Sequence, residues 1–143
     1  TQDVLNPVQQ GDFKRYIEAG GGFVGIHAAA DTEYEWPWFG KLIGAYFKSH
    51  PEIQEATLRR VGKFDDNNLP ETWTRKDEWY NYKNISKDIN IIYQLDETSY
   101  KGGENGENHP IAWYHEFQGG RVFYTGLGHT KESYVDSLFL NHV

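Results

Sequence analysis

No cysteine occurs among the 143 residues, and that single absence removes disulfides, thiolate metal sites and cysteine nucleophiles together. Long apolar runs are missing as well: nothing approaches the roughly 20 residues that a membrane-spanning helix requires. No signal segment is visible in this stretch. Positive charge is in deficit, with 14 Lys and Arg against 21 Asp and Glu and a formal charge of −7. A nucleic-acid partner calls for a concentrated basic patch to meet the phosphates, and the sequence shows none. Methionine is absent and the chain opens on Thr1, so a processed, excised or partial chain is expected.

Aromatic side chains are abundant, with 5 Trp, 10 Tyr and 8 Phe, and several lie among polar residues, as in Trp36-Pro37-Trp38 and Trp79-Tyr80-Asn81-Tyr82. Rings with polar tips serve cores and interfaces, and they also make flat surfaces for sugars. At this length a single domain with a real core is the expectation.

Local signals give an order of elements. Asn6-Pro7 is a capping residue followed by proline at a first helical position, and Val8, Phe13, Tyr16 and Ile17 recur at helical spacing before Gly20-Gly21-Gly22. Residues 23–26 read as a buried parallel strand, 37–47 as a second helix, 53–61 as a strand and 61–70 as a loop. Residues 78–82 and 89–95 read as strands, 101–106 as a glycine-rich loop, and 111–117 with 121–125 as a hairpin turning at Gln118-Gly119-Gly120. Residues 130–143 read as a closing helix. This order favours a layered α/β domain. Because a parallel sheet needs crossover connections and the chain starts on a helix, its N-terminal strands are expected to be missing.

Two strand ends attract attention. Gly25-Ile26-His27-Ala28-Ala29 has small residues around a polar one at the carboxyl end of a strand, where open α/β sheets bind ligands. His27 there suits proton transfer, metal ligation or hydrogen bonding better than covalent attack. Gly126-Leu127-Gly128-His129 repeats the arrangement on another strand, with Glu132 three residues on. Asp77-Glu78-Trp79-Tyr80 sets carboxylates beside large rings, a setting that raises a carboxyl pKa or binds a sugar by hydrogen bonds and stacking. His50, His109 and His115 stand in no motif, and His142 reads as incidental. No spacing matches a dense metal motif, although His27, His129 and a carboxylate could converge from distant segments.

The segments Gly20 to Asp31, Trp36 to Gly44, Asp77 to Asn81, His109 to His115 and Gly126 to Thr130, in that order, resemble the ThuA-like (trehalose utilisation) domain family. The resemblance implies a flavodoxin-like three-layer α/β fold with a mostly parallel sheet, related to class I glutamine amidotransferases. His27 would then stand where those enzymes carry a cysteine, with His129 and Glu132 in the places of their histidine and glutamate. It further implies a role in disaccharide or keto-sugar catabolism, a periplasmic or secreted setting, and a place in a larger protein or a homo-oligomer. The chain would cover about the C-terminal two thirds of the family domain, its 62–68 loop short and lacking an expected His-Pro pair.

The leading expectation is therefore a carbohydrate-active enzyme domain, not a cysteine-dependent amidotransferase, that performs acid–base chemistry on a sugar derivative. His27, His129, Glu132 and Glu78 are the catalytic candidates, and Asp31, Trp36, Trp79, Tyr80, His109 and His115 the substrate-binding ones. One alternative is a non-catalytic sugar-binding module built on Trp36 and Trp79. The other is a metal-dependent hydrolase in which His27 and His129 hold a divalent ion such as zinc.

Overall fold

The computed structural model describes residues 3–61 and 69–143. Residues 62–68, where a short loop is expected, lie outside the described residues. Helix α1 spans Pro7–Glu18, and its first turn is closed as the sequence suggests. Asn6 accepts from the backbone of Val8 and Gln9, and the Gln9 side chain returns to the Asn6 N–H. Strand β1, Gly22–Ile26, follows directly.

Helix α2 stops at Ile43 rather than running to residue 47. Gly44 ends it in the left-handed region at φ +89°, and a Cβ there would lie 2.8 Å from Ile89 and 2.9 Å from the Trp113 indole nitrogen. The chain then leaves as strand β2, Tyr46–Ser49. The apolar run Leu42 to Phe47 hid that boundary, because its hydrophobicity continues across the helix end.

Five more strands complete the sheets before the last hairpin strand: β3 (Gln54–Arg60), β4 (Thr72–Asp77), β5 (Asn81–Lys83), β6 (Asn90–Leu95) and β7 (Pro110–Phe117). Strand β8, Gly120–Thr125, closes that hairpin. Residues 78–82 are not one strand. The Asp77 carboxylate takes the Glu78 N–H at 3.0 Å, and the Trp79 indole donates to the Gln54 carbonyl at 2.8 Å. Both bonds pull the backbone out of the ladder, so Glu78-Trp79-Tyr80 crosses between sheets.

The large sheet has the order β1-β8-β7-β6-β3-β4, and β2 pairs with β5 separately. Here the mostly parallel sheet expected from the family resemblance needs correction. Among the described residues only β1 and β8 run parallel, and every other pair in the sheet is antiparallel. The β7–β8 connection shows why: Gln118 and Gly119, both at positive φ, form a two-residue turn that can join only antiparallel neighbours. The single parallel pair brings the ends of β1 and β8 side by side.

The closing helix is broken as well. A 3-10 turn, Lys131–Val135, gives way at Asp136 to helix α3, Ser137–His142, with the Asp136 side chain capping Leu138. On this face of the sheet His142 packs its ring against Trp73, Tyr93 and Phe123. Burial, reinforced by the nearby Arg75 charge, lowers its pKa from 6.5 to about 4. Between those values the unfolded chain binds a proton that the folded ring refuses, so stability rises with pH across that window. Acidification from about pH 6.5 to about 4 is expected to cost up to about 3 kcal/mol through this residue. Urea unfolding across that range should show the loss, and His142→Leu should remove that share of it.

Candidate active site

The site is assembled from three segment ends. The first is the corner after β1, where His27 holds φ at +44°, a left-handed conformation that costs a non-glycine residue of order 1 kcal/mol or more. That corner turns the imidazole into the sheet. Tyr124 locks it by donating its hydroxyl to the His27 carbonyl at 2.9 Å, and Tyr82 backs Tyr124 at 3.1 Å. Burial holds both phenols above their ordinary range, so they stay neutral donors.

The second end is the loop after β8. Its Gly126 carbonyl accepts from His27 Nδ1 at 2.8 Å. No side chain larger than hydrogen fits at Gly126, because a Cβ would lie 2.2 Å from the Tyr82 hydroxyl. Gly128 and His129 follow, with both backbone N–H groups held by the fully buried Asp77 carboxylate at 3.0 and 3.1 Å. Arg75 approaches the same carboxylate at 3.4 Å and reaches Ser133 and Asp136 on its other side.

The third end is the crossing segment after β4, which carries Glu78. Its Oε2 lies 3.0 Å from His27 Nε2 and 3.4 Å from His129 Nδ1, and those two ring nitrogens are 3.3 Å apart. The other oxygen, Oε1, is 3.4 Å from His50 Nδ1. Glu78 and His27 are enclosed, with side chains 11% and 7% exposed, whereas the His129 side chain is 41% exposed. The cluster is thus rooted inside the fold and open at one end.

Proton counting sharpens the arrangement. A carbonyl oxygen only accepts, so His27 Nδ1 carries its proton toward Gly126, and a neutral ring presents a lone pair at Nε2. That lone pair faces a carboxylate oxygen at 3.0 Å. Two acceptors at this separation require a positive charge between them, supplied by an added proton or by a cation.

Four sequence candidates therefore meet: His27, Glu78 and His129 in direct contact, and Tyr80, whose ring centroid is 4.1 Å from that of His27. Burial and the Glu78 charge raise the Tyr80 phenol above its usual range. His109 stands behind Tyr80, fully buried, donating from Nε2 to the Tyr80 carbonyl at 2.8 Å and meeting Glu97 at 2.8 Å through Nδ1. It supports the site from the second layer. Asp31 accepts the Tyr34 hydroxyl at 2.6 Å just beyond the His27 turn.

Others fall elsewhere. Glu132 is exposed on the 3-10 turn and is not one of the clustered ligand groups. Trp79 is fully buried with its indole N–H spent on the backbone, so it offers no face to a sugar. Trp36 stacks on Trp38 at 4.8 Å beside Phe13. His115 is buried on β7, donating to the Leu42 carbonyl at 2.7 Å, a brace between sheet and α2. Two contributors were missed. His50 carries no motif, only a following proline, and Asp77 is one of the carboxylates of the Asp77-Glu78-Trp79-Tyr80 stretch but not among the named site residues.

The chain matches the ThuA family model, described as trehalose utilisation, over residues 1–143. It belongs to the ThuA family. A thua-like protein from Bacteroides uniformis shares the fold at a TM-score of 0.80 and 26% identity, covering 99% of this chain and 64% of its own. A second thua-like protein, from Parabacteroides merdae, gives 0.76 and 23%, with 90% of this chain and 57% of its own covered. This chain therefore spans less than two thirds of either ThuA relative. A β-galactosidase from Bacillus circulans sp. alkalophilus aligns at 0.59 and 11%, over 86% of this chain and 18% of that one, a likeness of fold alone. No curated protein matches the chain in sequence.

Proposed function

We propose that this ThuA domain performs acid–base chemistry on a sugar derivative in disaccharide or keto-sugar breakdown. One observation carries the reading: a mostly buried carboxylate, Glu78, is shared by two imidazoles that stand at adjacent strand ends, one enclosed and one open to solvent. A keto-sugar suits such a set, because its carbonyl acidifies the neighbouring C–H and a positioned base then removes the proton. His129 is the accessible group that meets the sugar and exchanges the proton. Glu78 balances the positive charge that develops on the imidazoles, and His27, fixed through Nδ1 and its own carbonyl, holds Glu78 in place. The family description, trehalose utilisation, supports a sugar as the substrate class.

The test begins with a thermal-shift screen of disaccharides and their oxidised forms, since a ligand that binds only the folded state raises its melting temperature. With the sugar found, His129→Ala and His27→Ala are each expected to abolish its turnover. His129 is exposed enough for its variant to fold normally. Full activity in both variants would end this reading.

A further inference from the structure

We infer that His27 Nε2, Glu78 Oε2 and His129 Nδ1 form a three-ligand site for a divalent cation of zinc-like chemistry. The inference goes beyond the acid–base reading of these side chains and stands or falls apart from it.

The three ligand atoms make a triangle with edges of 3.0, 3.3 and 3.4 Å. An ion with bonds of about 2.0–2.1 Å to nitrogen and oxygen holds tetrahedral ligands roughly 3.4 Å apart, so the triangle has the dimensions of one face of such a shell. Protons account for the same contacts less well. With one added proton on His27 and the His129 tautomer protonated at Nδ1, both rings donate to Glu78, but the 3.3 Å nitrogen–nitrogen edge then sets two N–H groups against each other, whereas one cation above the triangle satisfies all three atoms together. Two histidines and a carboxylate from three separate segments are also a usual donor set for zinc.

Two of the three ligands, His27 and Glu78, have an outer partner on their second polar atom, as metal ligands do. His27 gives its Nδ1 proton to the Gly126 carbonyl at 2.8 Å, which fixes the tautomer that leaves Nε2 free to ligate. Glu78 keeps Oε2 for the ion while Oε1 faces His50 Nδ1 at 3.4 Å. His129 is set in place by its backbone N–H to Asp77 at 3.1 Å. Among the described residues, no fourth histidine, cysteine or carboxylate joins the group. Three protein ligands with one side toward solvent is the pattern of catalytic rather than structural zinc, which leaves a position for water or a sugar oxygen. In the loaded form the cation takes the place of the added proton and the two imidazoles are its ligands. The proton-carrying role of His129 then belongs to the unloaded protein, and a water or sugar oxygen at the open position meets the ion in the loaded one.

The experiment uses the intact protein, stripped with chelator and then titrated calorimetrically with Zn2+ alone. One ion per chain is expected, with a Kd below about 1 μM. His129→Ala should weaken binding more than about 100-fold, a larger effect than the loss of an outer partner, whereas Glu132→Gln should not change it. Co2+ in place of zinc should give the intense visible absorption of a four-coordinate site, and that band should vanish in His129→Ala and Glu78→Gln. A stripped wild-type protein that takes up no zinc, or uptake that His129→Ala leaves within about threefold, overturns the inference. Sugar turnover is read separately on stripped and reloaded protein. Zinc binding without turnover would count against the proposed function alone, and turnover without zinc binding against this inference alone.

Discussion

Glu78→Gln is expected to lower turnover by about 10²- to 10⁴-fold, the range associated with losing a positioned acid–base group, while the protein stays folded. The substitution keeps the shape of the side chain and removes its charge. Glu78 faces three imidazoles, His27 and His129 through Oε2 and His50 through Oε1, and it is 11% exposed where it does so. A neutral amide cannot balance positive charge on those rings, and it presents N–H groups or a weaker acceptor to the nitrogens that now meet a carboxylate. Glu78→Asp is the instructive companion, because it retains the charge but withdraws it by about 1.5 Å, one methylene. Its activity is expected to lie between wild type and Gln. Initial rates on the sugar found by thermal shift, with melting curves on each variant, make the comparison. Activity within a few-fold of wild type in Glu78→Gln would remove the carboxylate from the chemistry.

Asp77→Ala is expected to be the most destabilising single change near the site, at about 3–5 kcal/mol. Asp77 is fully buried and accepts from the backbone of Glu78, Gly128 and His129. It is also a counter-charge for Arg75, whose guanidinium lies over the Trp73 and Phe139 rings and whose pKa burial already pushes down. Removing the carboxylate leaves three backbone donors, two of them buried, short of an acceptor and Arg75 with Asp136 as its remaining acidic partner. Asp77→Asn, which can still accept, should lose less. Urea unfolding at neutral pH reads both, and a loss below about 1 kcal/mol in Asp77→Ala would show that the loop is held by other contacts. The same variant frees the backbone of His129, so disorder of the β8 loop should accompany the loss.

By itself the sequence determined the elements whose information is local. The Asn6-Pro7 cap, the β7–β8 hairpin turn and the strand ending at His27 each depend on a few neighbouring residues, and each is present; that strand is parallel as expected but not buried, since it ends the strand order with Val24 56% exposed. All three clustered side chains were legible: His27 and His129 because glycines and a strand end mark a corner that presents a side chain, and Glu78 because it is a carboxylate set beside large rings.

Only the tertiary structure decided the rest, because the deciding contacts join residues far apart in the chain. Antiparallel pairing prevails since most strands return through hairpin-like neighbours, and that pairing cannot be read from apolar runs alike in both arrangements. Helix α2 ends early because Gly44 lies against Ile89 and Trp113, and residues 78–80 leave the ladder because Gln54 and Asp77 capture them. Trp79 and Glu78 are adjacent in sequence yet face opposite fates, one sealed in the core and one at the cluster. His50 reaches Glu78 only because β2 pairs with β5 and sets its end beside the crossing segment. Sequence named a histidine at each of two strand ends and, separately, Glu78. The parallel register of β1 against β8 put those ends together, and the crossing after β4 placed a carboxylate between their imidazoles.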